Sequence, residues 1–269
     1  MLRPTFSFVA VLLLLSFGAG SARALTAGEI MRKTVAKADR VTNGSPRQEY
    51  EYNKTSVTEK LDGKGNVAER REKLIRIKSG KGSVIEIKVN GKPLSPDELK
   101  RDQAQVEAED ERMNDPRVAR RSDNWERLLT TDLISRFQFT LLREEPLNGR
   151  MTHVLSFKPA SGDLPVHEIS DRFINNLCGT IWVDTEDYEI AKADLWLQSE
   201  VTLGGGILGA LRKFNYKVER IRLPDGVWFN RNAVGEFGGR KFLDRVALRT
   251  HVECRDFEKI PGMQARNKP

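Results

Sequence analysis

Three histidines, two cysteines and one glycine-rich stretch are the parts of this 269-residue chain that could do chemistry, and their spacing argues against most of it. His153, His167 and His251 stand at no metal-ligand spacing, and Cys178 and Cys254 form no Cys-x-x-Cys pair. Gly204-x-Gly206-x-x-Gly209 spells a dinucleotide fingerprint, which works only between a parallel strand and a helix whose N-terminus meets the pyrophosphate. Here the run Arg212-Lys213-Phe214-Asn215-Tyr216-Lys217-Val218 follows instead, alternating as a strand does. The stretch reads as a connection carrying Ile207, Leu208 and Leu211, either packed on the end of a sheet or touching a membrane or a cavity mouth. No Gly-x-Ser-x-Gly elbow presents a nucleophile. We expect no enzyme, no cofactor and no bound metal.

What remains is apolar. Trp182, Trp196 and Trp228, with Phe137, Phe139, Phe157, Leu195, Leu197, Phe214 and Phe229, form the aromatic and aliphatic stock of the strand-like segments. Two readings stay open: ordinary core, or a subset facing a hollow that takes a ligand. One bulge would reverse the alternation, so sides are not assigned from sequence.

The segments that position these residues are mostly β. From Cys178 onward five strands are expected over Gly179–Asp184, Glu189–Val201, Arg212–Leu223, Gly226–Phe237 and Lys241–Phe257. The clusters Asp184–Asp187, Leu223–Gly226 and Gly238–Arg240 separate three of the joins as turns. The last strand is too long to lie flat, so the meander should curl into a wall. Upstream, Gln48–Leu61, Val67–Ile77 and Ser83–Val89 form a first sheet segment, and Phe137–Leu142 with Met151–Lys158 a further hairpin. Thr26 and Glu29 outline a capping box for a helix that ends near Asn43-Gly44; Ser95, Pro96 and Glu98 do the same for a charged helix reaching Met113. Ser122–Ile134 carries an amphipathic pattern, and Asp163–Asn176 reads as a loop with a helical turn. The fold class is α+β: a curved antiparallel sheet forming an incomplete β-barrel, with helices covering its concave side.

Residues 1–24 have the layout of a cleavable export signal: Arg3, an apolar run from Phe6 to Phe17, then Ala22-Arg23-Ala24. The expected organisation is this signal, one domain over 25–260, and a polar, mobile tail over 261–269. The formal net charge of +7 is spread among alternating acids and bases, as in Lys100–Arg127, which disfavours nucleic acid as a partner. Export places Cys178 and Cys254 where a disulfide is permitted; pairing and two buried thiols both remain open.

The block Gly179-Thr180-Ile181-Trp182-Val183-Asp184, an acidic turn, then Ile190-Ala191-Lys192-Ala193-Asp194 resembles the central hairpin of the periplasmic lipoprotein-carrier superfamily. That superfamily includes the outer-membrane lipoprotein-sorting carriers and a related sigma-factor regulator module. Leu223-Pro224-Asp225-Gly226-Val227-Trp228-Phe229 is similar to a second of its hairpins. The resemblance implies a periplasmic carrier that holds lipid or lipoprotein acyl chains in an apolar cavity. Trp182, Leu195, Trp196, Leu197, Phe214, Trp228, Phe229, Phe137 and Phe139 are the candidate cavity residues, and Ile207 and Leu208 the candidate mouth or membrane contact. The alternative is an envelope sensor or interaction module of the same fold, with a membrane-bound protein partner.

Overall fold

A computed structural model describes residues 25–42, 46–114, 129–203, 209–242 and 244–262. The expected export signal, most of the Ser122–Ile134 pattern, Ile207 and Leu208, and residues 263–269 of the tail lie outside the described residues. Helix α1 (Ala27–Thr42) starts at the expected box: the Glu29 carboxylate accepts the Thr26 backbone N–H at 2.8 Å, and the Thr26 hydroxyl accepts that of Glu29 at 3.3 Å. Helix α2 (Pro96–Asn114) repeats the device with Ser95 and Glu98. Among the described residues, two short helices follow, α3 (Thr131–Ser135) and α4 (Ile169–Ile174). The Asp171 carboxylate fixes α4 by accepting the N–H groups of His167 and Glu168 and an N–H of Arg136 at 2.7 Å. These bonds hold its pKa down at about 2.

Among the described residues, twelve strands make one open sheet. In chain order they are β1 (Tyr50–Leu61), β2 (Val67–Lys78), β3 (Lys81–Val89), β4 (Lys92–Pro93), β5 (Phe137–Leu147), β6 (Arg150–Pro159), β7 (Leu177–Asp184), β8 (Ile190–Leu197), β9 (Val201–Leu203), β10 (Gly209–Arg222), β11 (Trp228–Lys241) and β12 (Asp244–Lys259). The spatial order is β4-β3-β2-β1-β12-β11-β10-β8-β7-β6-β5, with β9 beside β10. All pairings are antiparallel, and β4 and β5 stand at opposite edges. The chain is therefore an incomplete antiparallel barrel, as its strand pattern implied.

Two expected boundaries are corrected. Gly238-Gly239-Arg240 is not a turn: Gly239 pairs with Leu211 on one side and Val246 on the other, and the chain reverses only after Lys241, which pairs with Asp244. Glycine permits that close approach, since a Cβ on Gly239 would lie 2.2 Å from the Ala210 carbonyl oxygen. The expected strand Glu189–Val201 breaks after Leu197, where the Gln198 N–H turns aside to the Asn176 carbonyl. The helical turn expected within Asp163–Asn176 is α4, fixed by the Asp171 bonds that sequence spacing did not reveal.

The main core lies under α1. Ile30, Met31, Val35 and Ala38 pack with Leu155, Phe157, Ile181, Val183, Ile190 and Ala193. Burial of such side chains stabilises by ~1.5–3 kcal/mol each. No described helix is long and apolar enough to cross a membrane.

Candidate functional site

Register assigns the two faces of the sheet. One row of neighbours runs Leu141, Leu155, Ile181, Ala193, Val218, Ala233, Val252, Ser56, Lys73 and Ile87, crossing ten strands. The next row on the same face runs Phe139, Phe157, Gly179, Leu195, Tyr216, Gly235, Thr250, Thr58, Arg71 and Val89. Helix α1 packs on the β6–β8 part of these rows, and Leu195 and Val218 border the core formed there. Helix α2 takes the other end. Its Asp102 meets Arg71 at 2.6 Å and Lys73 at 3.5 Å, while Gln103 accepts the Val84 N–H at 2.6 Å.

Between the two helices lies a strip formed by β10, β11, β12 and β1. Tyr216, Val218, Phe237, Leu248, Val252, Ser56 and Thr58 there are only half-buried, although they share a face with the closed core. The floor is low, with buried Ala233 and with Gly235, whose missing Cβ makes room for the Phe237 ring and the Thr250 hydroxyl. A half-buried apolar strip flanked by helices is a surface to which an apolar guest can add contacts.

The sequence candidates do not converge on this strip as one set. Phe137, Phe139 and Leu195 pack against the α1 core, as does Leu177, the cross-strand partner of Leu197. Phe214 borders the strip, its ring 4.9 Å from Phe173 of α4 and 5.5 Å from Phe237. Trp182 and Trp196 point to the opposite face, since their neighbours in the ladder are Val154 and Lys192, and Asn215 and Cys178. Trp182 is buried and donates its indole N–H to Glu145; Trp196 is 41% exposed. Phe229 packs with Tyr50, Tyr52 and Phe257, whereas the Trp228 indole donates to Asp187 at 2.9 Å. Sequence reading missed Val252, Gly235 and Thr250 as strip members. The period-two pattern could have found Val252, but nothing local marks a glycine as floor.

Two grooves are measurable elsewhere. One of about 580 Å³ crosses the outer face past Glu59, Arg70, Lys217, Glu236 and His251. Another of about 530 Å³ lies at the end of β11 and β12. None of the nine cavity candidates lines either groove.

The acidic turn after β7 is an ionic lock. Arg150 grips Asp184 through two N–H bonds of 2.6 and 2.8 Å, and Asp184 also accepts the backbone N–H groups of Glu186 and Asp187. Burial alone would raise the Asp184 pKa, but these donors hold it below the usual carboxylate range. Asp187 accepts from Arg222 at 2.6 Å, and buried Glu189 pairs with Arg220 at 2.8 Å. The turn thus ties the β7–β8 hairpin to β6, β10 and β11. Its role is structural.

Cys178 and Cys254 are both free. They lie on opposite faces, with β8, β10 and β11 between their strands. Four strand spacings amount to roughly 19 Å, well beyond disulfide reach. Burial pushes the Cys254 thiol up to about 11, so it is inert at neutral pH. The three histidines stay apart: His153 is buried on β6, His251 is exposed and bonded to Asn232, and His167 precedes α4. Among the described residues no group of three or more His, Cys, Asp or Glu could hold a metal. Gly209 opens an antiparallel strand, the wrong element for a dinucleotide turn.

No family model matches the chain, and no curated protein does. Solved structures do. A LolA superfamily protein from Nitrosomonas europaea is similar over 90% of this chain and 96% of its own, at 13% identity and a TM-score of 0.30. A putative outer membrane lipoprotein-sorting protein domain from Vibrio parahaemolyticus is similar over 87% and 95%, at 12% identity and a TM-score of 0.32. The MucA/MucB complex of Pseudomonas aeruginosa supplies a third, over 82% and 94%, at 11% identity and a TM-score of 0.20. These are likenesses of layout and transfer no residue roles.

Proposed function

We propose that the protein carries or binds lipid or lipoprotein acyl chains in a bacterial periplasm, holding the chain along the strip between α1 and α2. The observation that carries this reading is the half-burial of Tyr216, Phe237, Leu248 and Val252 on the very face that forms the core elsewhere. Shielding an acyl chain is worth ~0.8 kcal/mol for each CH₂ kept from water. A carrier therefore needs apolar surface that its own side chains leave unfilled. Helix α2, held by the polar contacts of Asp102 and Gln103 and by Val106 packed close over Gly82, is suited to shift as cargo enters.

The test is purification without detergent, extraction into organic solvent and lipid mass spectrometry. Acyl lipids in near-stoichiometric amount are expected, with Val252→Asp losing most of them while still folding. An empty protein that also fails to bind a dansyl-labelled fatty acid would defeat the proposal. A stoichiometric protein recovered in place of lipid would favour the interaction-module alternative.

A further inference from the structure

Beyond the strip, one end of the sheet combines exposed apolar groups with concentrated positive charge. Where β11 turns back toward β12, Phe242 is 54% exposed and sits at a φ of 53°. That backbone region is uncommon for a bulky residue. Val246, on the adjoining strand, is 38% exposed. The groove of about 530 Å³ opens beside them. Five of its lining side chains are cations: Arg212, Lys213, Arg240, Arg245 and Arg249.

Among the described lining side chains, Asp62 and Glu236 are the acids. Glu236 is occupied by Lys213 at 2.7 Å and Arg249 at 4.0 Å. Asp62 accepts the Lys64 and Asn66 backbone N–H groups at 2.8 and 2.9 Å within its own turn. Arg212 also pairs with Glu200 at 3.1 Å and Arg249 with Glu59 at 3.5 Å, and exposed Asp244 lies at the turn. The basic excess at this end therefore rests on Arg240 and Arg245 with neighbouring Lys241 and Lys64. Arg240 and Arg245 also brace the tip, donating to the carbonyls of Phe242 and Gly63. Phe237 and Leu248 line this groove as well as the strip, while Lys213, Glu236, Arg240, Arg245 and Arg249 come to it from the opposite face of the sheet.

We propose that this end of the barrel docks on an anionic lipid bilayer, Phe242 and Val246 entering the headgroup layer while the arginines meet lipid phosphates. An aromatic tip ringed by cations suits the interface, where an apolar body is buried and cations are drawn to anionic headgroups. Docking does not require that the strip hold cargo.

Flotation of the purified, lipid-stripped protein tests the idea, using vesicles of phosphatidylcholine alone or mixed with phosphatidylglycerol. Binding to the mixed vesicles alone is expected, and high salt should release it. Replacing Arg240→Gln and Arg245→Gln together should weaken binding about 25-fold, at about fivefold per cation. The Arg240→Lys, Arg245→Lys pair should stay close to wild type. Phe242→Asn, which tolerates the positive φ, should lose about tenfold. Equal binding to neutral vesicles, or no loss in the glutamine pair and in Phe242→Asn, would overturn the proposal. So would release by inorganic phosphate beyond that by sodium chloride of equal ionic strength, which would mark a free-anion site. The salt and vesicle arms use only the native chain, so a misfolded variant leaves the test intact. Retained lipid is measured separately, so failure here is distinct from failure of the carrier reading.

Discussion

Removing the Asp184 carboxylate should be among the most damaging single changes in the chain. Its side chain is 1% exposed, takes both bonds from Arg150, and receives two backbone N–H groups of its own turn. Breaking a buried ion pair from one side costs about 3–5 kcal/mol, because the remaining charge stays desolvated. Arg150 is 26% exposed and keeps Glu186 at 3.0 Å and Asp187 at 3.8 Å, so relief is partial. We expect about 3 kcal/mol for Asp184→Ala, at the low end of that range. For a domain of this size that is a fall in Tm of roughly 6–12 °C. The sign of the pH dependence is also fixed. The folded pKa lies below the unfolded value of about 3.9, so the carboxylate stabilises fully above that pH. The contribution is lost as pH falls through the folded pKa. Urea or thermal unfolding followed by circular dichroism, run from neutral pH downward, should show the variant's deficit shrinking in acid. A fall of less than about 2 °C at neutral pH, or a deficit that persists unchanged in acid, would refute the electrostatic account.

Two further outcomes follow from the geometry. Asp102→Ala should loosen α2 by removing its link to Arg71 and Lys73, raising amide hydrogen exchange along Pro96–Asn114 and speeding fatty-acid probe release about fivefold, the equivalent of ~1 kcal/mol for a partly exposed pair. Unchanged exchange would mean that α2 is held by something other than Asp102. Thiol reagents should leave the native protein unlabelled and add two adducts after unfolding, since Cys178 and Cys254 are buried and unpaired. No adducts after unfolding without reductant would reveal a disulfide and contradict the register.

Local chemistry alone determined much of this protein. Thr26 with Glu29 and Ser95 with Glu98 are reciprocal hydrogen-bond pairs three residues apart, so the helix starts could be read directly. Alternation in Phe214-Asn215-Tyr216-Lys217-Val218 announced a strand with one apolar face, because the strand repeat is two residues.

Tertiary structure decided the rest. Whether a side chain lines the strip depends on which helix lies above its position in a ten-strand row, and Leu155 and Val252 share that row with opposite outcomes. Trp182 and Trp196 had the right composition for a cavity, yet pairing turned both to the other face. Gly238 and Gly239 had the composition of a turn, but flanking strands on both sides drew them into the ladder. Arg150 meets Asp184 across 34 residues, and Arg222 meets Asp187 across 35. Such contacts form only when strand order brings them together, since no interaction within a few residues can encode a partner so distant along the chain.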